Sequence, residues 1–232
     1  MNSITRKSSL RSIFIIAITS IITFLIGCAP IESHRVVESQ KVETFNTSYT
    51  GVKTTLAVGN FNNRSSYLQG LFSSNSDQLG NQAKTILKTH LQQTNRFKVV
   101  DRENLSLSKQ EAELLKQSQT VKGARYVVTG AVTEFGRKEV GDQQLFGILG
   151  AGRKQIAYSK VSLNVVDVLT SEIIYSTQGA GEYQLDQRQV LGFGTASGYD
   201  STLNGKVLNF AITEAVNNMT RDIDNGSLTV SE

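Results

Sequence analysis

The sequence predicts an α+β domain in which helices pack on a mixed β-sheet. Two observations support this prediction. Apolar residues recur at helical spacing in three segments, whereas five other segments are rich in β-branched residues or alternate apolar with polar side chains. The resulting order, β-α-β-α-β-β-β-α, joins helical crossovers to a run of neighbouring strands, and that combination is typical of the α+β class.

The first half of the chain opens with a strand, a loop and a helix. Lys53–Phe61 is the first predicted strand, and the polar stretch Asn62–Ser76 is a predicted loop. A helix follows over Asp77–Gln93, and Ser76 or Asp77 can cap its start. Its apolar residues fall on one face: Leu79, Ala83, Ile86, Leu87 and Leu91.

A short strand and a second helix come next. Phe97–Val100 is the strand, and Arg102–Gln117 is the helix. The candidate core residues of this helix are Leu105, Leu107, Ala112, Leu114 and Leu115. Because Asp is favoured at helix N-termini, we interpret Asp101 and Arg102 as a helix-entry cap with a local ion pair rather than as a functional site.

Three strands complete the predicted sheet. They span Ala124–Phe135, Gln155–Val168 and Ile173–Gln184. In the second of them, Val161, Leu163 and Val165 share one face. The hairpin turn that joins the last two strands lies between Asp167 and Glu172, and we expect both carboxylates to be solvated and not to form a catalytic pair.

The last helix runs from Asn204 to Asp224, and Gly226 follows it in the position of a left-handed terminating residue. Its apolar face consists of Leu208, Ala211, Ile212, Ala215, Met219 and Ile223. Two segments, Gly136–Lys154 and 179–206, are rich in glycine, and their composition on its own predicts flexible loops.

The first 30 residues have the layout of a lipoprotein signal. The cationic start consists of Arg6, Lys7 and Arg11. The uncharged apolar run over 12–27 is shorter than the roughly 20 residues that a membrane-spanning helix needs. Leu25–Cys28 resembles the lipobox of bacterial lipoproteins. We therefore expect cleavage between Gly27 and Cys28 and a covalent lipid on Cys28, the alternative being a transmembrane anchor with an incidental cysteine.

We expect residues 28–52 to tether the domain, residues 53–232, to the outer membrane so that it faces the periplasm. Ala29 favours the outer membrane, because an Asp at that position would resemble the inner-membrane retention signal. Three of the positive charges lie in the signal, so the net charge of +4 falls to +1 in the remaining chain. That balance argues against nucleic acid as a partner.

The residue pattern fits neither an enzyme nor a cofactor site. Cys28 is the only cysteine and has no disulfide partner. His34, in the tether, and His90, on the polar flank of a helix, lie far apart and lack metal-ligand spacing. Gly147–Gly152 is glycine-rich but opens no helix, which argues against nucleotide binding. We expect no catalysis, no metal and no cofactor besides the lipid on Cys28.

Three motifs resemble the curli production assembly/transport family of the CsgG/HfaB type. They are Phe97–Arg102 after an amphipathic helix, Gly123–Val132, and Val161–Glu172. Each motif is a strand with its turn, so these residues mostly determine the fold. Their order and spacing, together with the lipobox, extend the similarity over roughly residues 53–224.

This resemblance implies an outer-membrane lipoprotein whose periplasmic domains form a homo-oligomeric ring. Each subunit would give two β-hairpins, at 136–157 and 179–206, to one large barrel that exports unfolded protein. The pore of the family narrows at a loop after the first strand, and the matching loop here offers candidate constriction residues. They are Asn63, Tyr67, Phe72 and Asn75. Packing in the core is an equally good interpretation of Tyr67 and Phe72.

Two further functions stay open. The charged residues Arg137, Lys138, Glu139 and Asp142 leave only a thin apolar band in the first segment. This favours a lipid-tethered periplasmic module that binds an envelope component, such as an accessory protein of peptidoglycan synthesis, without a pore. Holdfast-anchoring relatives suggest the other function, a structural lipoprotein of a surface-attachment system. In each case the expected partner is a secreted or envelope protein.

Overall fold

The structure, a computed structural model, describes residues 40–67, 77–143, 151–188 and 202–228. These residues form five strands and three helices in the predicted order. The strands are β1 (Thr54–Asn63), β2 (Phe97–Val100), β3 (Tyr126–Gln143), β4 (Ala151–Asp167) and β5 (Ile173–Arg188). The helices are α1 (Gln78–Gln93), α2 (Leu105–Leu114) and α3 (Thr202–Asp224). The predicted α+β class is confirmed.

All five strands belong to one mixed sheet, in the order β2-β1-β3-β4-β5. Both β2 and β3 run parallel to β1, while β3, β4 and β5 are antiparallel neighbours. Parallel neighbours need a crossover connection, and α1 and α2 lie in those connections. Leu169 and Thr170 lie in the tight turn between β4 and β5, where the sequence placed it.

The hydrophobic core lies between one face of the sheet and the two long helices. Leu56, Val128 and Leu163 project from three different strands, and each is at most 1% exposed. They pack with residues of α1 and α3 in a single cluster. All six apolar residues predicted for the last helix are buried, as are Val161, Leu163 and Val165 of β4. The opposite face of the sheet carries polar side chains such as Thr129, Ser162 and Asn164 over part of its length, and Val127 and Val166 lie toward one end.

Two glycines of β5 allow α3 to lie close to the sheet. A β-carbon on Gly179 would lie 2.1 Å from the carbonyl oxygen of Ala211, and one on Gly181 would lie 2.6 Å from that of Val207. Both glycines belong to the segment whose composition predicted a flexible loop. Two predictions overlap here: the strand over Ile173–Gln184 is confirmed, and the loop was wrong for 179–188, because these glycines provide space for a helix within a regular strand.

For Gly136–Lys154 the sequence left a flexible loop and a β-hairpin open, and the described residues agree with the hairpin. β3 continues to Gln143, β4 begins at Ala151, and the ladder runs from the pair Gly136 and Tyr158 to the pair Gln143 and Ala151. The segment 136–157 is therefore a β-hairpin, with residues 144–150 outside the described part. In the second segment, 179–188 belong to β5 and 202–206 to α3, while 189–201 lie outside the described residues.

The core predicted for the second helix was wrong. α2 is shorter than expected, since Lys116, just after it, adopts a left-handed φ of 57°. None of its ten residues is buried. The exposed fractions of Leu107, Leu114 and Leu115 are 54%, 76% and 72%. The leucines have helical spacing, but α2 follows an edge strand, where the domain supplies no opposing surface.

The turn before α2 is held by Asp101, although not as predicted. Its carboxylate accepts a hydrogen bond from the Glu103 amide at 2.9 Å and lies 3.7 Å from the ammonium of Lys88 on α1. Arg102 instead donates to the carbonyl oxygen of Lys122 at 2.7 Å. The carboxylate therefore orders the turn that precedes the observed cap residue, Asn104, and its ion pair joins that turn to α1.

Two polar residues are buried that the sequence placed in solvent. Asp167 is only 6% exposed, because it pairs with Arg125 at 2.7 Å and accepts a bond from the Leu169 amide, whereas Glu172 is exposed as predicted. His90 is 3% exposed. The flank of α1 that carries it faces α3, where its Nε2 lies 2.7 Å from Oδ1 of Asn209.

The end of the predicted tether packs on the domain. Val42 is 2% exposed, and Phe45 and Tyr49 contact the core. The Glu43 amide donates to Asn217 on α3 at 3.0 Å. Arg96, also buried, pairs with Asp224 at 2.8 Å and donates to the Thr47 hydroxyl at 2.7 Å. Packed structure therefore begins before residue 53. Among the described segments, no helix combines the length and hydrophobicity that crossing a bilayer requires.

Candidate functional site

The candidate site lies at the end of the sheet where β1 stops and β3, β4 and β5 continue. The last pair between β1 and β3 joins Asn63 to Val132. Beyond it, β3, β4 and β5 stay hydrogen-bonded to one another. We call residues 138–143, 151–156 and 184–188 the three-stranded extension. It contains most of the first segment that the resemblance assigns to a hairpin and part of the second.

The length of the extension can be compared with the height of the apolar band on outer-membrane strands. Six residue pairs join β3 to β4, from Lys138 and Ile156 to Gln143 and Ala151. At about 3.3 Å per residue, six residues rise roughly 20 Å. The apolar band of outer-membrane strands is about 25 Å tall. The described strands thus reach most of that height, and residues 144–150 add to the chain between them.

A polar and aromatic junction fixes the base of the extension. The ring of Tyr67 lies 4.7 Å from that of Phe135 on β3, centroid to centroid. The side-chain amide of Asn204, on the first turn of α3, donates to the Tyr67 hydroxyl at 3.1 Å. The Asn204 oxygen accepts from Nε of Arg137 at 2.8 Å. The junction therefore connects the loop after β1, the start of α3 and the outgoing strand.

Hydrogen bonds at Asn63 and Asp77 hold the two ends of the loop after β1. The Asn63 side chain donates to the Tyr67 carbonyl at 3.0 Å and accepts from the amide and hydroxyl of Ser65. Its backbone amide donates to Asp77 at 2.6 Å, and the same carboxylate caps α1 by accepting from Gly80 at 2.7 Å. Of the two predicted cap residues, Ser76 and Asp77, the structure has Asp77 as the cap.

The predicted site residues fall into two groups. Asn63 organises its own loop, and Tyr67 packs against the core at the junction. The others lie outside the described residues: Gly27, Cys28, Phe72 and Asn75. Whether the four candidates line a pore stays a prediction. Lipidation of Cys28 likewise stays a prediction.

A shallow polar groove runs across the open face of the sheet. Its lining combines amide and hydroxyl side chains with one guanidinium, as in Asn60, Asn62, Arg64, Thr133 and Asn164. Such a surface can hydrogen-bond to a polypeptide or another polar ligand but offers no nucleophile with a base. In the ranges covered by the structure, no three His, Cys, Asp or Glu residues cluster as metal ligands.

Two carboxylates near the edge of the sheet have lowered pKa values. At Glu103, hydrogen bonding from Lys84, together with Lys88, lowers the pKa from 4.5. At Asp101, the bond from Asn104 is the largest cause of a pKa below 3.8. Both groups are exposed, so these pairs fix the base of the α2 segment rather than create a reactive acid.

Sequence reasoning missed Arg137, Asn204 and Arg96 as organising residues. The contact between Arg137 and Asn204 spans 67 positions, and that between Arg96 and Asp224 spans 128. No local periodicity encodes such distant pairs. A charged residue in a glycine-rich segment was the only available signal for Arg137, and it pointed to solvent.

Comparisons with known proteins agree with the motifs. A family model described as curli production assembly/transport component CsgG matches residues 38–228. The chain is 61% identical over 203 residues to "Putative lipoprotein NMB1126/NMB1164" of Neisseria meningitidis serogroup B. That match covers 88% of this chain and 91% of the other protein.

Similar solved structures include a PelC dodecamer from Paraburkholderia phytofirmans and lipoprotein GNA1162 from Neisseria meningitidis. The first is 16% identical and covers 71% of this chain and 87% of its own, with a TM-score of 0.34. The second is 13% identical and covers 74% of this chain and 99% of its own, with a TM-score of 0.34. At such low scores, neither likeness supports a conclusion about assembly.

Proposed function

Because the chain belongs to the curli production assembly/transport component family CsgG, a family of lipoproteins, we propose that it is a subunit of an outer-membrane channel. The channel exports or assembles a surface protein. The observation that carries the proposal is the three-stranded extension, which continues past the packed core in the two segments where the resemblance expects membrane hairpins. The subunit has no catalytic role and needs no cofactor.

In this proposal, the packed domain lies in the periplasm and several copies form a ring. Each copy contributes the hairpin over 136–157 and strands within 179–206 to one shared barrel. The junction of Tyr67, Asn204 and Arg137 supports this role, because it holds the first strand of the hairpin at a fixed angle to α3. A barrel needs such fixed angles, since strand tilt and register are linked around it.

Cys28 is the proposed attachment point to the outer membrane. Replacing it in Cys28→Ser removes the thiol that a thioether lipid requires. We expect the variant to move from the membrane fraction to the soluble or inner-membrane fraction, whereas the control Ser33→Ala stays with the outer membrane. Fractionation followed by mass spectrometry of the N-terminal peptide measures both location and lipid. An unlipidated, membrane-bound wild type would contradict the assignment.

The channel itself is tested by extracting the lipidated protein from outer membranes in mild detergent. We expect a ring of about eight or more subunits, with 136–157 and 179–206 protected from protease, and conductance in planar bilayers. Protected strands and conductance follow together, because lipid-embedded strands must pair in a closed barrel. A monomer whose two segments are readily cut, and which forms no pore, would overturn the proposal.

One observation favours a second function, that of a lipid-tethered periplasmic module without a pore. Lys138, the first residue of the extension on β3, is exposed and follows Arg137, so this strand enters the extension with two adjacent cations. Charges on lipid-facing positions are costly near the membrane midplane. If this function holds, crosslinking in intact cells captures an envelope protein on the monomer, and shortening the hairpin leaves that complex unchanged.

A further inference from the structure

Most of the large apolar side chains exposed in the described residues fall into two patches. We call Leu107, Leu114, Leu115 and Val121 the helix patch. We call Val168, Leu169 and Ile173 the turn patch. Their exposed fractions range from 53% to 76% in the helix patch and from 43% to 75% in the turn patch. Concentrated exposed apolar residues mark interaction sites more often than scattered ones do.

The chain segments that carry the two patches leave the sheet at opposite edges, from the ends of one row of paired residues. One row of paired residues crosses all five strands: Val100, Ala57, Val127, Val166 and Ile173. The row ends at one side beside the turn patch, which contains Ile173. At the other side it ends on edge strand β2, just before the segment that carries the helix patch.

The base of the α2 segment, residues 101–122, is fixed to α1. Arg102 donates to the Lys122 carbonyl at 2.7 Å, which closes the segment on itself. Lys84 on α1 pairs with Glu103 at 2.7 Å. The helix patch is thus held in one place by polar contacts, while its leucines face away from the core. A pre-positioned apolar surface loses little conformational entropy when it binds.

Charges around the patches are complementary. Residues 105–122 contain three lysines against two glutamates. Lys116 and Lys122 are exposed beside the helix patch, and Glu172 is exposed within the turn between Leu169 and Ile173. Within the described residues none of these three has an ion-pair partner. A cationic rim on one patch and an acid on the other favour contact between the two patches over contact of either with itself.

We infer that the helix patch of one copy packs on the turn patch of the next copy. The inference rests on the proposed ring and names the surfaces that form it. Two different patches make a head-to-tail contact, which repeats from copy to copy until a ring closes. The placement at opposite edges suits such repetition, because each copy presents the helix patch to one neighbour and the turn patch to the other.

The test uses two double variants of the lipidated full chain. Leu114→Glu/Leu115→Glu disables the helix patch, and Leu169→Glu/Ile173→Glu disables the turn patch. Each alone should lose the ring and run as a single subunit in mild detergent. Mixed in equal amounts, they should form a dimer and nothing larger, because only one intact contact remains. The control Ser106→Glu adds an acid about 100° around α2 from Leu107 and should keep the ring.

Mass measurement in detergent separates the outcomes, with circular dichroism to confirm folding. If an acidic variant does not fold, Leu114→Ser/Leu115→Ser replaces it. A wild-type ring that persists in both variants overturns the inference and leaves the channel untouched. A mixture that gives no dimer also overturns it. A ring that is lost only in the helix variant overturns it too, because the turn patch is then not part of the contact between copies. A monomeric wild type instead contradicts the proposed function, and the inference with it.

Discussion

At the scale of single residues, Gly179 shows how a missing side chain sets the distance between two elements. An added β-carbon would lie 2.1 Å from Ala211 O and 2.5 Å from Ala215 N, both backbone atoms that cannot rotate away. Gly179→Ala should therefore lower the free energy of unfolding by about 1–3 kcal/mol, as overpacking does. Urea denaturation measures it. Gly123→Ala, whose β-carbon meets nothing within 4 Å, is the control and should change little.

Asp167 gives a residue-scale prediction about pH. Hydrogen bonding from the Leu169 amide, with help from Arg125, lowers its pKa below the ordinary 3.8. A carboxylate with a lowered folded pKa stabilises the fold above its unfolded pKa, and this contribution is lost as the pH falls through the folded value. Asp167→Asn should therefore be less stable than the wild type at pH 7, and the difference should shrink toward about pH 2.

Denaturant unfolding across that range, with Glu172→Gln as the exposed control on the same turn, measures the Asp167 contribution. The control should follow the wild-type curve. Parallel curves for wild type and Asp167→Asn would show that the ion pair and turn bonds do not stabilise the charged form.

At the scale of elements, Asp77 joins a helix to a strand. One carboxylate oxygen caps α1 through Gly80, and the other accepts from the Asn63 amide at the end of β1. Asp77→Ala should cost about 1–2 kcal/mol of stability, the range for a lost cap. It should also speed amide hydrogen exchange at Asn63. Asn104→Ala at the start of α2, where no side-chain capping bond exists, should cost less. Unchanged exchange at Asn63 would argue against the link.

Elements with a clear apolar face were predictable to within a few residues. α1 and α3 pack as their spacing indicated, and β2 has the predicted bounds. The leucines of α2 show the limit of that reasoning, because spacing reports an apolar face without saying what covers it. Composition alone predicted loops at 136–154 and 179–188, because a glycine count cannot distinguish a turn from a strand. At Gly179 and Gly181 the glycines instead provide room for α3. The junction at Tyr67 depends on distant contacts with no local pattern.

At the scale of the whole molecule, the hairpin can be separated from the packed domain. Lys138 and Ile156 are directly paired, so replacing residues 139–155 with Asn-Gly leaves a two-residue connection of the kind that favours a tight hairpin turn. The core residues Val132, Phe135 and Ala157 all lie on the retained side. We therefore expect the shortened protein to fold and unfold cooperatively, as measured by circular dichroism and urea denaturation.

The shortened protein then distinguishes the two proposed functions. If the extension lines a barrel, the variant should lose conductance and export while the lipid anchor and the periplasmic contacts persist, because the proposals assign those to Cys28 and to the two exposed patches. If the protein is a tethered module, its crosslinked envelope partner should be retained in full. Conductance that survives the deletion would place the pore outside the β3–β4 hairpin. A domain that unfolds would show instead that the extension stabilises the core.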